Sequence, residues 1–580
     1  MTFSFLAGQA NDTTINLGPL ALVAPLLHEL DIADIIDRQL PADPQLEYSY
    51  GKVLSVLLAA RLCQPNALVN IADWAHEHGA DILWNVPADK LNDDRLGRAL
   101  DAFFERRHSI MADVTLRALE VGELSMQRLH FDTTHVTFTG AYQDSCPRSL
   151  DYREFVNATF PSNSQLDPAH ISKGYLTDRR MLQIGITAIV DERGMVPVFC
   201  HPADGNRNGH PIIHEQFELL RKHLPLPPNL QMVSDRGTFS AAHVARLHRH
   251  GYTFLGTVPW RDYSALYDAH AAHLHWQNAS FLSQEQQRRR QDTSSLPLEH
   301  YEIAALKHQL IDPSTGAAIP GRVIFCYSTA AAQEEAQRRH DNINAIRSGL
   351  DHITGKLVTA HPGTTYESAQ RQITTLLGKK DAARFFRYEL QTLTPAEQAA
   401  LPPPRKGYHQ QTHRLVYTFN TAAAETASAH DGLYALLTTA PASQSIDTLF
   451  TEFKQQAYVE LGHHQLKTPL AVRPVFLKNQ KRVEALTCLM YMALQAHQLL
   501  ERLYRNHTPA DAPKNERLMT AEKMLEAFEV CGITARPVSF GQLLYPSRLK
   551  RDQAHVLNRL HFPTPYQILK KCLPLAPPEH

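Results

Sequence analysis

Three carboxylates stand where the surrounding pattern gives them chemical promise. Asp132 interrupts "LHFDTTHVTFTG", which alternates apolar and polar residues as a half-buried strand does. Aspartate is among the residue types most depleted in strands. Asp235 closes the apolar run "MVSDRG" and is followed by Arg236 and Gly237. An aspartate ending a buried parallel strand sits in the crevice at the sheet's carboxyl edge, where α/β proteins place their sites. Glu460 lies in "FKQQAYVELGHHQLK", with Phe453, Gln456 and Lys467 at helical spacings around it. Seven residues make nearly two turns, so Phe453, Glu460 and Lys467 are expected on one stripe, drifting by about 20° per heptad.

Each carboxylate alone has a plainer reading. Asp132 could begin an Asx turn, Asp235 could cap the next helix, and a glutamate two turns from a lysine is a common solvated pattern. Together they suit metal chemistry. Two aspartates on neighbouring strands and a glutamate on an adjacent helix can hold two Mg2+ ions, with Mn2+ substituting. Mg2+ takes oxygen ligands and keeps several waters, so one or two carboxylates per ion suffice. Two ions roughly 3.5–4 Å apart can activate a water or a 3′-hydroxyl and stabilise the leaving oxygen of a phosphodiester. Asp132, on the central strand, is the expected bridge.

The elements that must position these groups follow from periodicity. Residues 1–125 read as helical: "LGPLALVAPLLHELDIADIIDRQL" and "YGKVLSVLLAARL" repeat apolar residues every three or four positions. "LNDDRLGRALDAFFERR" starts with Asn92 as N-cap, and Asp93 and Asp94 suit the first turn. Over 126–260 the order is strand, hairpin turning at "DERG", helix, strand, helix, strand, an α/β core. Residues 261–430 read as a β-rich insertion with helical arms, containing the proline-rich connector "LPPPRKGYHQQ". Residues 431–506 return to the core, and 507–580 read as a tail with short helices.

Composition narrows the class. The 580 residues are 43% apolar and 20% charged, too long for one domain and ordinary for a globular protein. A net charge of -1 gives no global attraction to nucleic acid or anionic membrane, so a polyanion must be held by local basic patches. Seven scattered cysteines without a Cys-x-x-Cys pair fit reduced thiols in a cytoplasm. The start, "MTFSFLAGQANDTT", does not read as a signal peptide. The most apolar stretch, Val483 to Leu503, carries Glu484, Gln495, His497 and Glu501 and reads as a core helix, not a membrane span.

These residues resemble the DDE transposases of bacterial insertion sequences, in particular the group with a "Y-x2-R-x3-E-x6-K" signature and a β-rich insertion. Glu460 and Lys467 match the signature, while Phe453 stands for its tyrosine and Gln456 for its arginine. "KGYLTDRRMLQIGI" resembles that group's Gly-(Tyr/His)-Ser-Lys-Asp-x-Arg segment at Gly174, Tyr175, Asp178 and Arg179 or Arg180; "ADGNRNGH" resembles its Gly-Asn loop at Gly205 and Asn206. The resemblance implies a ribonuclease-H-like (retroviral-integrase-like) core with an all-α N-terminal domain that binds DNA ends. It implies an enzyme that cleaves at terminal inverted repeats and joins the 3′-hydroxyl to target DNA, acting as a homodimer. Asp132, Asp235 and Glu460 would be the catalytic metal ligands, and Lys467, Gln456, Phe453, Arg236 and Arg180 would contact DNA. Losing a hydroxyl and a guanidinium at Phe453 and Gln456 removes a polar contact and a bidentate phosphate clamp.

Lesser features have plainer readings. Trp260 is a rim or core aromatic, with base stacking as the alternative. His135 faces away from Asp132, and His463 and His464 follow Glu460 without being assigned as ligands. Arg288–Arg290 and Gln337–His340 are solvated runs or a DNA channel. Two other functions remain open: a captured copy that binds DNA without transposing, and a hydrolytic metalloenzyme with another substrate.

Overall fold

The computed structural model describes residues 13–41, 44–138, 168–173, 180–207, 209–235, 239–282, 299–359, 365–378, 381–467, 477, 479–538, 541–546 and 548–572. It is a mixed α/β protein built on one large mixed sheet with many helices.

The N-terminal helices Leu20–Glu29, Ile32–Gln39 and Tyr50–Cys63 lead to the long helix α1 (Asp93–Val121). Asn92 caps α1 by accepting the Arg95 amide at 2.9 Å, with Asp93 and Asp94 in the first turn. Leu96, Ala99, Leu100, Phe103 and Phe104 form the buried stripe that their spacing predicts.

Five strands make the part of the sheet that carries the carboxylates. They are β1 (Arg128–Phe138), β2 (Arg180–Asp191), β3 (Gly194–Asp204), β4 (Gln231–Ser234) and β5 (Thr253–Val258). The order is β3-β2-β1-β4-β5. β2 is antiparallel to both β3, to which the expected turn at Glu192 and Arg193 joins it, and β1; β1, β4 and β5 are parallel. The parallel connections run through α2 (Gly209–His223) and α3 (Ala241–Arg249).

The segment 261–430 contributes to two places. Strands β6 (Tyr301–Ile311) and β7 (Ala318–Ser328) join the same sheet through β8 (Leu433–Thr438), which pairs antiparallel with β5. The rest, built on the helix α4 (Thr329–Val358) and the strand pair Phe386–Thr392 with His413–Phe419, packs its own apolar cluster around Ile346, Leu350, Phe385 and Leu415.

The chain then forms α5 (Ile446–Lys454), α6 (Ala457–Lys467) and α7 (Gln480–Asn506). α7 is buried on all sides because it runs between α1 and β3. Its polar residues are matched internally. Arg107 Nε donates to Glu484 Oε1 at 2.7 Å, and Gln495 Nε2 donates to Thr115 Oγ1 at 2.9 Å and to the Pro197 carbonyl at 2.7 Å. Among the described residues no single helix is long and apolar enough to cross a membrane.

The tail holds the short helices it reads as, Ala521–Ala527, Arg551–Leu560 and Pro565–Cys572, and adds two strands that the reading lacks. Strands Gly532–Val538 and Gly541–Pro546 form a three-stranded antiparallel sheet with Thr13–Asn16, so that Thr13 faces Ala535. Gly532–Val538 pairs on one edge with its neighbour Gly541–Pro546 and on the other with a strand at the opposite end of the sequence, a pairing that local periodicity does not reveal. The six described cysteines are all free.

Candidate functional site

Asp132 lies inside β1, not at its end. Its Oδ1 accepts the Thr133 amide at 2.7 Å, so the aspartate makes a local hydrogen bond without breaking the strand. Phe131 is paired with Ser234 across the parallel β1–β4 ladder. Asp132 and Asp235 are the next residues along their chains, so the two aspartates occupy neighbouring positions just beyond that pairing. Asp235 is exposed.

The third carboxylate reaches the site by a different route from the one its spacing suggests. The stretch from Ile446 to Lys467 is not one helix. α5 ends at Lys454 and α6 begins at Ala457, with Gln455 and Gln456 between them. The amides of Gln456, Tyr458 and Val459 bond three residues back, a tight local winding at the junction. Phe453 and Glu460 therefore sit on two successive helices, although both line one cleft. The cause is visible at Gln456, which is buried and turned toward β1. Its Nε2 donates to the Phe131 carbonyl at 3.0 Å, and its Oε1 accepts from His130 Nδ1 at 2.8 Å. An amide oxygen can only accept, so Nδ1 of His130 carries the proton. Burial lowers the His130 pKa to about 3, which keeps the ring neutral.

Further contacts fix the junction. Arg128, at the start of β1, pairs with Glu452 at 2.5 Å and donates to Gln455 Oε1 at 3.0 Å. Further along α6, His463 Nδ1 stands 3.5 Å from Asp132 Oδ2, with the two side chains only 10% and 17% exposed. Gly462 sits against Met195 of β3, where an added Cβ would lie 2.1 Å from the methionine Cε. These contacts hold α6 and its Glu460 against the strand that carries Asp132.

Asp235 and Glu460 both line a cleft of about 1260 Å³ between the sheet and the α4 region. Phe453 and Gln456 form part of the near wall, and Arg338, Arg339 and Arg384 part of the far one. The far wall is largely self-paired: Arg339 binds Asp431 through both guanidinium nitrogens, and Arg338 lies 3.8 Å from Glu335. Trp260 is a rim aromatic, its ring 5.4 Å from His430 and 5.5 Å from Tyr267.

The other expected DNA contacts divide. Phe453 packs against an apolar cluster that includes Val233 and Leu255. The amide of Gln456 is engaged inward with β1. Arg180 pairs with Phe138, whereas Asp132 pairs with Ile186. Six register positions amount to about 20 Å along the strands, so Arg180 stands away from the carboxylates. Arg236, Arg179, the segment 174–178, Arg288–Arg290 and the side chain of Lys467 lie outside the described residues.

The donor chemistry fits a hard divalent cation, since carboxylate oxygens are what Mg2+ and Mn2+ take. Among the described residues no group of three or more His, Cys, Asp and Glu side chains is gathered tightly enough to hold an ion. The protein donors instead come in smaller sets: Asp132 with His463, Asp235 beside Asp132, and Glu460 one helical turn before His463. The sequence pointed to the carboxylates and placed His463 near a metal without making it a ligand, and it gave Gln456 a DNA contact in place of a structural part. The three-residue offset between Glu460 and His463 was the available signal, because that spacing shares a helix face.

Residues 13–114 match the family described as a domain of unknown function (DUF4277). No curated protein matches the chain. Among solved structures, the chain is similar to the piggyBac transposase in a cryo-EM synaptic complex with hairpin DNA. The identity is 10% and the TM-score 0.34, covering 98% of this chain and 89% of that one. A likeness at that level assigns no activity.

Proposed function

We propose that this protein is a DDE-type transposase. It binds the terminal inverted repeats of its own element, cleaves the DNA there, and joins the freed 3′-hydroxyl to target DNA. The observation that carries the reading is the placement of Asp132 and Asp235 side by side just beyond the β1–β4 pairing, with Glu460 lining the same cleft as Asp235. The strand order β3-β2-β1-β4-β5, three antiparallel and then two parallel, fits the ribonuclease-H-like core that the sequence resemblance implies.

Asp132, Asp235 and Glu460 would hold Mg2+ or Mn2+. When bound, the ions activate the attacking water or 3′-hydroxyl and stabilise the leaving oxygen. The chain's own part is placement. β1 and β4 hold the aspartates on rigid backbone, and Gln456 ties the α5–α6 junction to the residue before Asp132. The cleft gives double-stranded DNA access to the carboxylates, and the arginines of its far wall exchange their internal carboxylate partners for phosphates. Two element ends must be joined, so the active complex is a homodimer. With Gln456 turned inward, no guanidinium at that position grips the cut end, and second-strand cleavage relies on other contacts.

The test is cleavage of a labelled duplex carrying the element's end, with Mg2+ or Mn2+, by the natural protein and by Asp132→Ala, Asp235→Ala and Glu460→Ala. Cleavage at the repeat boundary, lost in all three variants, is the expected result. Binding without cleavage by the natural protein would replace this reading with that of a DNA-binding protein.

A further inference from the structure

We infer that His463 is a nitrogen ligand in the metal site at Asp132, which makes that site a mixed oxygen–nitrogen one that prefers Mn2+ to Mg2+. The inference rests on the metal-dependent reading above and adds a residue to it.

Three observations support it. First, the separation of His463 Nδ1 from Asp132 Oδ2 is 3.5 Å. An N–H···O hydrogen bond is ordinarily about 2.7–3.2 Å long. Two ligands around one ion, each on an arm of about 2.1 Å, lie roughly 3.0–3.4 Å apart at octahedral to tetrahedral angles. The observed spacing is wide for a hydrogen bond and close to the spacing of a shared ion. Second, both side chains are largely buried, and close local contacts position them. The Thr133 amide holds Asp132 Oδ1, which leaves Oδ2 directed at the ring. Gly462 lets α6 pack close against Met195, bringing His463 down onto β1. Third, Glu460 precedes His463 by three residues on the same helix. A glutamate and a histidine at that offset are a ligand pair that carboxylate-rich metal sites in helical proteins use.

The metal preference follows from ligand type. Mg2+ takes oxygen almost exclusively and dehydrates reluctantly, whereas imidazole suits first-row transition ions. Mn2+ accepts carboxylate and imidazole together. The waters that complete its shell remain exchangeable, so two protein ligands are enough to seat it.

The experiment is pulsed electron paramagnetic resonance of Mn2+ added to the full chain, together with a Mn2+ titration. The expected result is a nitrogen hyperfine coupling typical of imidazole. It should change to the 15N pattern when the natural protein is grown with 15N-histidine, a comparison that needs no variant. In His463→Asn the coupling should vanish and Mn2+ affinity should fall about tenfold or more, while Mg2+ affinity changes little. Asp132→Ala should abolish binding at this site. Asp132-dependent Mn2+ binding with no imidazole coupling would overturn the role of His463 and leave the proposed function standing. Absence of any Asp132-dependent Mn2+ binding would overturn both.

Discussion

Gln456 Nε2 donates to the carbonyl of Phe131, the residue immediately before Asp132, at 3.0 Å. The position that the resemblance assigns to a DNA-gripping arginine is thus occupied by an amide bracing the strand that carries Asp132. Gln456→Ala would leave the Phe131 carbonyl and the His130 Nδ1–H buried without this partner. Loss of about 2–4 kcal/mol is expected, since each buried unsatisfied group costs about 1–3 kcal/mol. Gln456→Arg should be no better, because it places a guanidinium beside a buried neutral imidazole. Urea denaturation checks both variants, and end cleavage should fall with them. If Gln456→Arg were as stable as the natural protein and cleaved better, the bracing role would be wrong.

A second prediction concerns the strand that delivers Asp235. Gly256 of β5 pairs with Ser234, and a Cβ added there would lie 2.5 Å from the Ser234 carbonyl oxygen. That atom is backbone and precedes Asp235 directly, so the end of β4 must move. Gly256→Ala should cost about 1–3 kcal/mol through overpacking and should reduce cleavage beyond what the stability loss explains. Gly355, in the helix Thr329–Val358, is the contrast, since nothing lies within 4 Å of its added Cβ. Gly355→Ala should stabilise by roughly 0.5–1 kcal/mol and leave cleavage unchanged. Thermal melts and the cleavage assay on both variants separate the two cases.

Much of this arrangement was legible in the sequence, and the rest has identifiable reasons for being hidden. Period-two alternation located the strand around Asp132, and an apolar run ending in aspartate located β4, because both strands bury residues in a regular pattern. The hairpin at Glu192 and Arg193 was signalled by its turn residues. The break between α5 and α6 was not legible. Gln455 and Gln456 are good helix formers, and the winding changes there because Gln456 meets groups on β1 more than 300 residues away. The strand Gly532–Val538 was hidden in part for the same reason, since one of its two partners lies near residue 13. His463 was visible as a residue but not as a neighbour of Asp132, which only the packing of α6 on β1 creates.

Stability should depend on pH through histidines buried in their neutral form. Burial lowers His130 to about 3, and His223 and His497 to about 4. Below the ordinary histidine value near 6.5, the unfolded chain takes up protons that the folded one refuses. Stability therefore falls as pH drops from about 6.5 toward 4. Glu215 adds to the acid side. Burial pushes its carboxyl up, but the His201 hydrogen bond at 2.9 Å and the Arg207 guanidinium outweigh that and hold it below its ordinary value. Its contribution is present above the ordinary carboxylate range and lost as pH falls through its own lower value. Urea midpoints measured from pH 7 to 4.5 should decline steadily. His497→Gln should flatten the slope; an unchanged slope would remove His497 from the account.

The buried ion pair between α1 and α7 makes the last prediction. Arg107 Nε donates to Glu484 Oε1 at 2.7 Å, Arg107 Nη1 donates to the Phe104 carbonyl at 2.6 Å, and Glu484 Oε2 accepts the Ala169 amide at 2.6 Å. Both side chains are almost fully buried. Removing one partner strands a charge in the interior, so Glu484→Ala should cost about 3–5 kcal/mol, whereas replacing both partners with apolar groups of similar volume is often nearly neutral. Arg107→Met combined with Glu484→Leu should therefore recover part of the stability that Glu484→Ala loses, the remaining loss of about 1–3 kcal/mol coming from the Ala169 amide left unpaired. Recovery of folding with end cleavage intact would show that the pair serves to join the N-terminal helical layer to the helix behind the sheet, since neither residue lines the cleft. If the double variant folded fully and still failed to cleave, the pair would be acting on the strands that carry the aspartates through β3, against which α7 packs.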